Sequence, residues 1–291
     1  MGDYIIATAS TADMPAEYLQ EKEIPFISYT YMIDDVVYED DCKEETKQEL
    51  YEKMRQGAAV TTSMINTYTY YMFFKQMMET GKDVIFLDMS REITKSYINA
   101  LEAEKQIKEE YPNQRFYMMD TRCISGGLGM LLDDMVKLKE QGKSFDEVIA
   151  WAEENKLKVI HWFTVDDLNY LKRGGRVSNA AALVGGLLSV KPVMYISNEG
   201  KLVVSEKVRG RKSSLLAILK HMETDFVDYE GKEVFILHAD CLEDAEFMRD
   251  KISETFPGVG KISITTLGTV IGVHCGPGLL TIFYLGEKRY G

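Results

Sequence analysis

Val84-Ile-Phe-Leu-Asp-Met89, followed by Ser90-Arg-Glu-Ile-Thr94-Lys-Ser96, sets the frame for the chain. The first six residues, apolar except for Asp88, are a run of strand length, the next seven a hydroxyl-rich link, and a helical pattern then runs from Ser96 to about Tyr111. A strand that gives way to a helix through a short polar link is one βα unit, and the pattern repeats around it. Upstream, Tyr4 to Ala9 is a strand and Ile24 to Ile33 contains another, while Lys43 to Gln56 and Thr67 to Thr80 are helices stopped by Gly57 and Gly81. Downstream, Arg115 to Met119 is a strand, Gly127 to Gln141 a helix, and Ser144-Phe-Asp-Glu147 a capping box opening a helix that ends near Asn155. Residues 1–157 therefore predict an N-terminal α/β domain, a mainly parallel sheet flanked by helices.

Residues 158–291 read differently, as a C-terminal α+β domain with a mixed sheet. Val159 to Thr164 is a strand, and Pro192 to Ser197 with Lys201 to Val208 form a hairpin around Asn198-Glu-Gly200. Helices from Ser213 to Phe226 and Leu242 to Phe256 flank the strand Glu233 to Ala239. Three β runs close the chain: Ile262 to Leu267, Thr269 to His274 and Leu279 to Leu285. The longest apolar stretch, Ala180 to Val190, is too short to span a bilayer and reads as a buried helix.

The totals exclude several classes. A chain of 291 residues, 45% hydrophobic and 27% charged, has the composition of an ordinary globular protein. MGDYIIATAS lacks a basic n-region and an N-myristoylation signal, which predicts a cytoplasmic protein with at most transient membrane contact. Cys42, Cys123, Cys241 and Cys275 form no CxxC pair, so they read as reduced structural thiols, and neither a metal site nor a cofactor is expected. The net charge of −12 opposes nucleic-acid binding. From Lys172 to Lys212, however, nine Lys or Arg meet two Glu, a balance of +7, while the remaining 25 basic and 44 acidic residues give −19. That basic island favours an anionic partner.

The sequence has no GxxxxGK[ST] loop, no strand-following GxGxxG, no HExxH and no GxSxG elbow. Instead, hydroxyls cluster at three links expected between strands and helices: Thr8-Ala-Ser10-Thr11, Thr61-Thr62-Ser63 and Ser90 to Ser96. Ligands of open α/β sheets sit at the carboxyl ends of the strands, where helix N-termini favour an anion and hydroxyls donate without adding charge. Single hydroxyls at such places also serve as plain helix caps. Among the four histidines, His161 and His238 fall in strands as packing residues and His221 in a helix. His274 stands apart at an expected strand end, where Gly272, Gly276, Pro277 and Gly278 allow close backbone approach to a ligand. The loop Leu171-Lys-Arg173-Gly-Gly-Arg176 and the cluster Lys207-Val-Arg209-Gly-Arg211-Lys212 suit phosphate or carboxylate docking.

These segments together resemble the DegV family of bacterial fatty-acid-binding proteins, from about Tyr4 to Tyr284. The resemblance rests on Leu171-Lys-Arg-Gly-Gly-Arg-Val-Ser178, Val190-Lys-Pro192 with Glu199-Gly200, Asp120-Thr-Arg-Cys-Ile-Ser125 with Gly126-Gly-Leu-Gly129, and Val273-His-Cys-Gly-Pro-Gly278. It implies a tunnel between two domains that holds a long-chain fatty acid, with the carboxyl met by Thr62 with Ser63, by Thr94 and Ser96, and by His274. It also implies presentation of that carboxyl to the catalytic subunit of a fatty acid kinase, docked on Arg173, Arg176, Arg209 and Arg211 with Arg173 and Arg176 nearest the head group, for acyl-phosphate formation and phospholipid synthesis. The sequence departs from the family pattern at Ala9, at Met64-Ile65 and at Lys95. Two other functions compete with the non-enzymatic carrier: an acyl hydrolase or transferase using Ser or Thr with His274 as base, and a phosphotransfer subunit related to dihydroxyacetone kinases.

Overall fold

The computed structural model describes residues 4–177 and 189–289. Tyr4–Ala9 (β1) and Asp83–Asp88 (β6) are buried along almost their whole length, as parallel strands covered on both faces must be. Between them run Ala16–Glu21 (α1), Phe26–Ile27 (β2), Thr30–Ile33 (β3), Val36–Glu39 (β4), Glu44–Arg55 (α2), Val60–Ser63 (β5) and Thr67–Met78 (α3). Ser96–Glu110 (α4), Phe116–Asp120 (β7), Gly126–Glu140 (α5) and Phe145–Asn155 (α6) follow, and the capping box forms with both of its hydrogen bonds. The first sheet is parallel throughout, as expected, and its strand order is β2-β1-β6-β7. A second, three-stranded antiparallel sheet, β4-β3-β5, was not expected.

The remainder comprises Val159–Thr164 (β8), Leu168–Gly174 (α7), Val190–Ile196 (β9), Leu202–Arg209 (β10), Arg211–Asp225 (α8), Val234–His238 (β11), Leu242–Thr255 (α9), Ile262–Thr266 (β12), Thr269–Cys275 (α10) and Leu280–Leu285 (β13). Six strands form one mixed sheet, β10-β9-β8-β13-β11-β12, in which only β11 and β12 run parallel. Among the described residues no helix is long and apolar enough to cross a membrane.

Helix α5 joins the two layers: it packs on β6 of the parallel sheet and on β8, β11 and β13 of the mixed sheet. It is accordingly buried almost all round from Gly126 to Val136, and one continuous core runs from Phe86 and Leu132 to Phe163 and Phe283. A second core, including Trp162, Phe226, Met248 and Tyr284, fills the far face of the mixed sheet under α8 and α9.

Three local expectations are corrected. Thr269 to His274 is helix α10, not a strand. Its Val and Ile residues are buried on every side, so a short apolar run carries no period to separate helix from strand. Thr61-Thr62-Ser63 lies within β5 of the antiparallel sheet, not at the carboxyl edge of the parallel one. Leu171 to Gly174 is the last turn of α7, not a loop: the Asp167 side chain caps the start and Gly175, at φ 68°, closes the end. Of Ala180 to Val190, read as a buried helix, residues 180–188 lie outside the described residues, and Val190 opens strand β9.

Gly127 lets α5 approach β8, since a Cβ there would run into the buried His161 ring, closest to its Nε2 and 2.6 Å from Cε1. Gly127→Ala should overpack this contact and destabilise the protein by about 1–3 kcal/mol. Urea denaturation measures the loss, and an unchanged midpoint would show that α5 is not wedged there.

Candidate functional site

Helix α10 delivers His274 to the strand β5, where Thr62 Oγ1 and His274 Nε2 lie 2.8 Å apart. The link between β6 and α4 brings up Thr94 and Ser96. Thr62, Ser63, Thr94, Ser96 and His274, which the sequence places far apart, thus line one small cavity of about 50 Å³, joined by Arg176. Each hydroxyl of the β6–α4 link is held by an incoming backbone donor: Ser96 Oγ accepts from Ile65 N–H (3.2 Å) and Thr94 Oγ1 from Ser96 N–H (3.2 Å). Their own O–H hydrogens can then be donated either toward Tyr29 Oη, 3.5 Å from Thr94 Oγ1, or into the cavity.

His274 and Arg176 also line two further cavities. One, about 60 Å³, is an apolar slot between the halves, walled by Ile124, Phe163, Leu171, Ile196, Leu279 and Phe283. The other, about 380 Å³, is a groove bordered by Ala58, Val60, Tyr170 and Arg173, and it shares Thr62 with the polar cavity. The polar residues thus stand at the junction of an apolar slot and a wider groove. A larger cleft of about 870 Å³, lined by Glu44, Lys47, Glu52, Arg55 and Asp240, contains none of the expected site residues.

Burial, reinforced by the nearby Arg176 guanidinium, pushes the His274 imidazole down to about 4, so the ring is neutral at pH 7. Arg176 is partly buried, and its Nε and Nη1 donate to the carbonyls of Ile93 (3.4 Å) and Gly174. The glycines after His274 serve a purpose other than the one expected. Gly276 (φ 78°) admits the Tyr170 ring and Gly278 (φ 88°) the Asp166 carboxylate, each too close for a Cβ, so both accommodate protein and not a ligand.

The other expected residues have varied fates. Arg173 lies over the Tyr170 ring at 4.5 Å, and Arg209 is exposed on β10. Arg211 is paired with Asp244 (2.8 Å) and Asp166 (3.7 Å) at the start of α8. Thr8 Oγ1 donates to Leu87 O, Ser10 Oγ accepts from Tyr29 N–H, and Ser90 Oγ donates to Gly200 O, so these hydroxyls are structural. Lys95 is exposed. Arg176, expected with Arg173 to stand nearest the head group, lines the cavity itself, and Tyr29, Met89, Ile93, Val270 and Ile271 join its wall without any sequence signal.

A helix-flanked parallel sheet wedged by one helix against a mixed sheet, with a polar pocket opening on an apolar slot where they meet, defines a two-part α/β architecture with an interior cavity. The chain belongs to the DegV family: the family model described as "Uncharacterised protein, DegV family" matches residues 4–287. A DegV domain-containing protein of Clostridium perfringens is 37% identical over 290 residues, covering 99% of both chains. A DegV family protein from Thermus thermophilus, whose solved structure is described by its fatty acid binding, superposes with a TM-score of 0.88 at 26% identity, over 98% of this chain and 100% of that one. DegV of Bacillus subtilis, described as a fatty acid binding protein, gives 0.83 at 27% identity, over 99% and 100%.

His274 is depressed from 6.5 in the folded state, so the unfolded chain binds more protons between pH 6.5 and about 4. Its contribution to stability is therefore present above pH 6.5 and is lost as pH falls through that window. An NMR titration of labelled histidine should place the ring near 4, and Arg176→Ala should raise it; a wild-type midpoint near 6.5 would contradict the burial of the ring.

Proposed function

We propose that the protein buries a long-chain fatty acid between residues 1–157 and 158–291 and holds its carboxyl with Thr62, Ser63, Thr94, Ser96 and His274. The observation that carries this reading is the convergence of those five residues on one pocket at the mouth of an apolar slot. The solved relatives described as fatty acid binding support the same assignment.

The energetics favour such a ligand. Burying about fifteen methylenes at roughly 0.8 kcal/mol each offers about 12 kcal/mol gross, before the costs of association. The carboxylate opposes burial unless it is hydrogen-bonded, and neutral hydroxyls with one imidazole provide donors without an unpaired buried cation. The slot, at about 60 Å³, is smaller than a long acyl chain, so entry requires its Ile, Leu and Phe side chains to swing aside.

The carboxyl, standing next to the wider groove, is then presented to the catalytic subunit of a fatty acid kinase for acyl-phosphate formation. Of the four arginines expected to dock this partner, Arg173 and Arg209 offer exposed charge, Arg211 is oriented by Asp244, and Arg176 reaches the head group. Arg173→Glu with Arg209→Glu should lower kinase coupling by at least about tenfold while the lipid still copurifies, given steering by opposite charge. Unchanged acyl-phosphate formation would remove the docking assignment.

A second reading, acyl transfer or hydrolysis, draws on the Thr62–His274 hydrogen bond, which has the form of a nucleophile and its base. Against it, no carboxylate hydrogen-bonds His274 among the described residues, and an imidazole near 4 is a weak general base at neutral pH. Native mass spectrometry should show a long-chain acid on the purified protein, with His274→Ala or Thr62→Ala weakening binding about ten- to hundredfold. Turnover of acyl esters that vanishes in His274→Ala would favour the enzyme instead.

A further inference from the structure

Behind the carboxyl pocket runs a row of hydroxyls that ends on a carboxyl group. Tyr29 Oη lies 3.5 Å from Thr94 Oγ1 and 3.3 Å from Tyr70 Oη, and Tyr70 donates to Asp88 Oδ2 at 2.9 Å. The row is sealed from solvent: Thr94, Tyr29, Tyr70 and Asp88 are 6%, 2%, 0% and 0% exposed. Its ends are fixed by backbone donors, Met89 N–H to Asp88 Oδ1 (2.8 Å) and Ser96 N–H to Thr94 Oγ1 (3.2 Å).

Counting protons along the row gives a constraint. A ligand carboxylate seated on Thr94 creates four oxygen–oxygen links: ligand to Thr94, Thr94 to Tyr29, Tyr29 to Tyr70, and Tyr70 to Asp88. Thr94, Tyr29 and Tyr70 supply three hydroxyl protons. With carboxylates at both ends, one link is left with lone pairs facing lone pairs in a buried, low-dielectric place, where an unmade hydrogen bond is costly. A fourth proton removes the conflict, and the ends of the row are where it can reside.

We propose that the protein takes up one proton together with each fatty acid anion, stored on the Asp88 carboxyl, so that Asp88 donates to Tyr70, Tyr70 to Tyr29, Tyr29 to Thr94, and Thr94 to the ligand. This rests on the fatty-acid reading of the pocket. The balance is simple: the anion and one proton from solution enter, one O–H bond forms at Asp88, and each hydroxyl in the row keeps its own proton while turning. The surroundings of Asp88 suit the role. Tyr70 of α3, Tyr29 beside β3, Tyr97 of α4 and Asp120 of β7 surround it, with Arg91 turned to Asp120 at 3.4 Å. Burial, and to a lesser degree Asp120, raises the Asp88 carboxyl to about 7 against the hydrogen bonds from Tyr70 and Met89 N–H.

The test is calorimetry of delipidated protein with oleate at pH 8, in two buffers of different ionisation enthalpy. Wild type should take up about one proton per acid, and the uptake should shrink below pH 7, where free Asp88 already carries its proton. Asp88→Asn supplies a permanent amide donor to Tyr70, so it should bind oleate with uptake near zero. Tyr70→Phe shortens the row to two hydroxyls for two links, and should also abolish uptake, which keeps the idea testable if the first variant fails to fold. His274→Gln should weaken binding yet leave the proton count at one, separating this proton from titration of the imidazole. Binding by wild type without proton uptake, or equal uptake by Asp88→Asn, overturns the relay alone. Absence of any binding by wild type overturns the fatty-acid reading as well.

Discussion

The bond between Thr62 Oγ1 and His274 Nε2 spans the molecule, because Thr62 lies on strand β5 and His274 on helix α10, elements from opposite halves of the chain. It exists only where α10 lies against β5, and the seating of α10 is fixed from several sides. Tyr51 of α2 donates to Leu267 O (2.9 Å) and the buried Lys47 to Thr266 O (3.2 Å), tying the segment that leads into α10 to the N-terminal half. Asp13, after β1, accepts from Ser125 at 2.5 Å and sits against Gly268, where α10 begins. The wedge of α5 between the sheets sets the spacing at which all of this occurs. The pocket is therefore a product of how the halves pack, and neither half contains it alone.

The electrostatic character of the pocket follows from its depth. The chain carries −12 overall, yet the head-group cavity holds hydroxyls, a neutral imidazole and one arginine that bonds backbone carbonyls. A buried lysine or a protonated histidine would need a permanent counter-ion, and its desolvation when the site is empty would be expensive. Hydroxyls avoid that cost, because they rotate: that of Thr94 can turn inward toward Tyr29 or outward toward a ligand.

Much of this was legible in the sequence. Long elements with clear period and punctuation, such as β6 with α4, or α2 ended by Gly57, stand where their patterns put them, because burial on one or both faces writes itself into residue spacing. Short, fully enclosed pieces were not legible: the seven residues of α10 present Val and Ile on all sides, and β-branched residues then suggest a strand. The helical nature of α7 did have a signal in Asp167 and Gly175, as an N-cap and a left-handed C-terminal residue, but the cations between them drew the reading toward a loop. The five polar residues of the pocket were picked out by residue type and family likeness, and Arg176 by its place in the basic island, whereas Tyr29 and the Tyr70–Asp88 pair behind them depend on tertiary packing that no local pattern encodes.

The most direct measurement is a crystal structure of the protein with its bound long-chain acid. The carboxyl oxygens should lie within about 2.6–3.2 Å of Thr94 Oγ1 and of Thr62 or His274. The acyl chain should run past Ile93 into the slot walled by Phe163 and Phe283. A carboxyl seated away from Thr62, Thr94 and His274, or an acid lying in the charged cleft beside Arg55 and Asp240, would contradict the account.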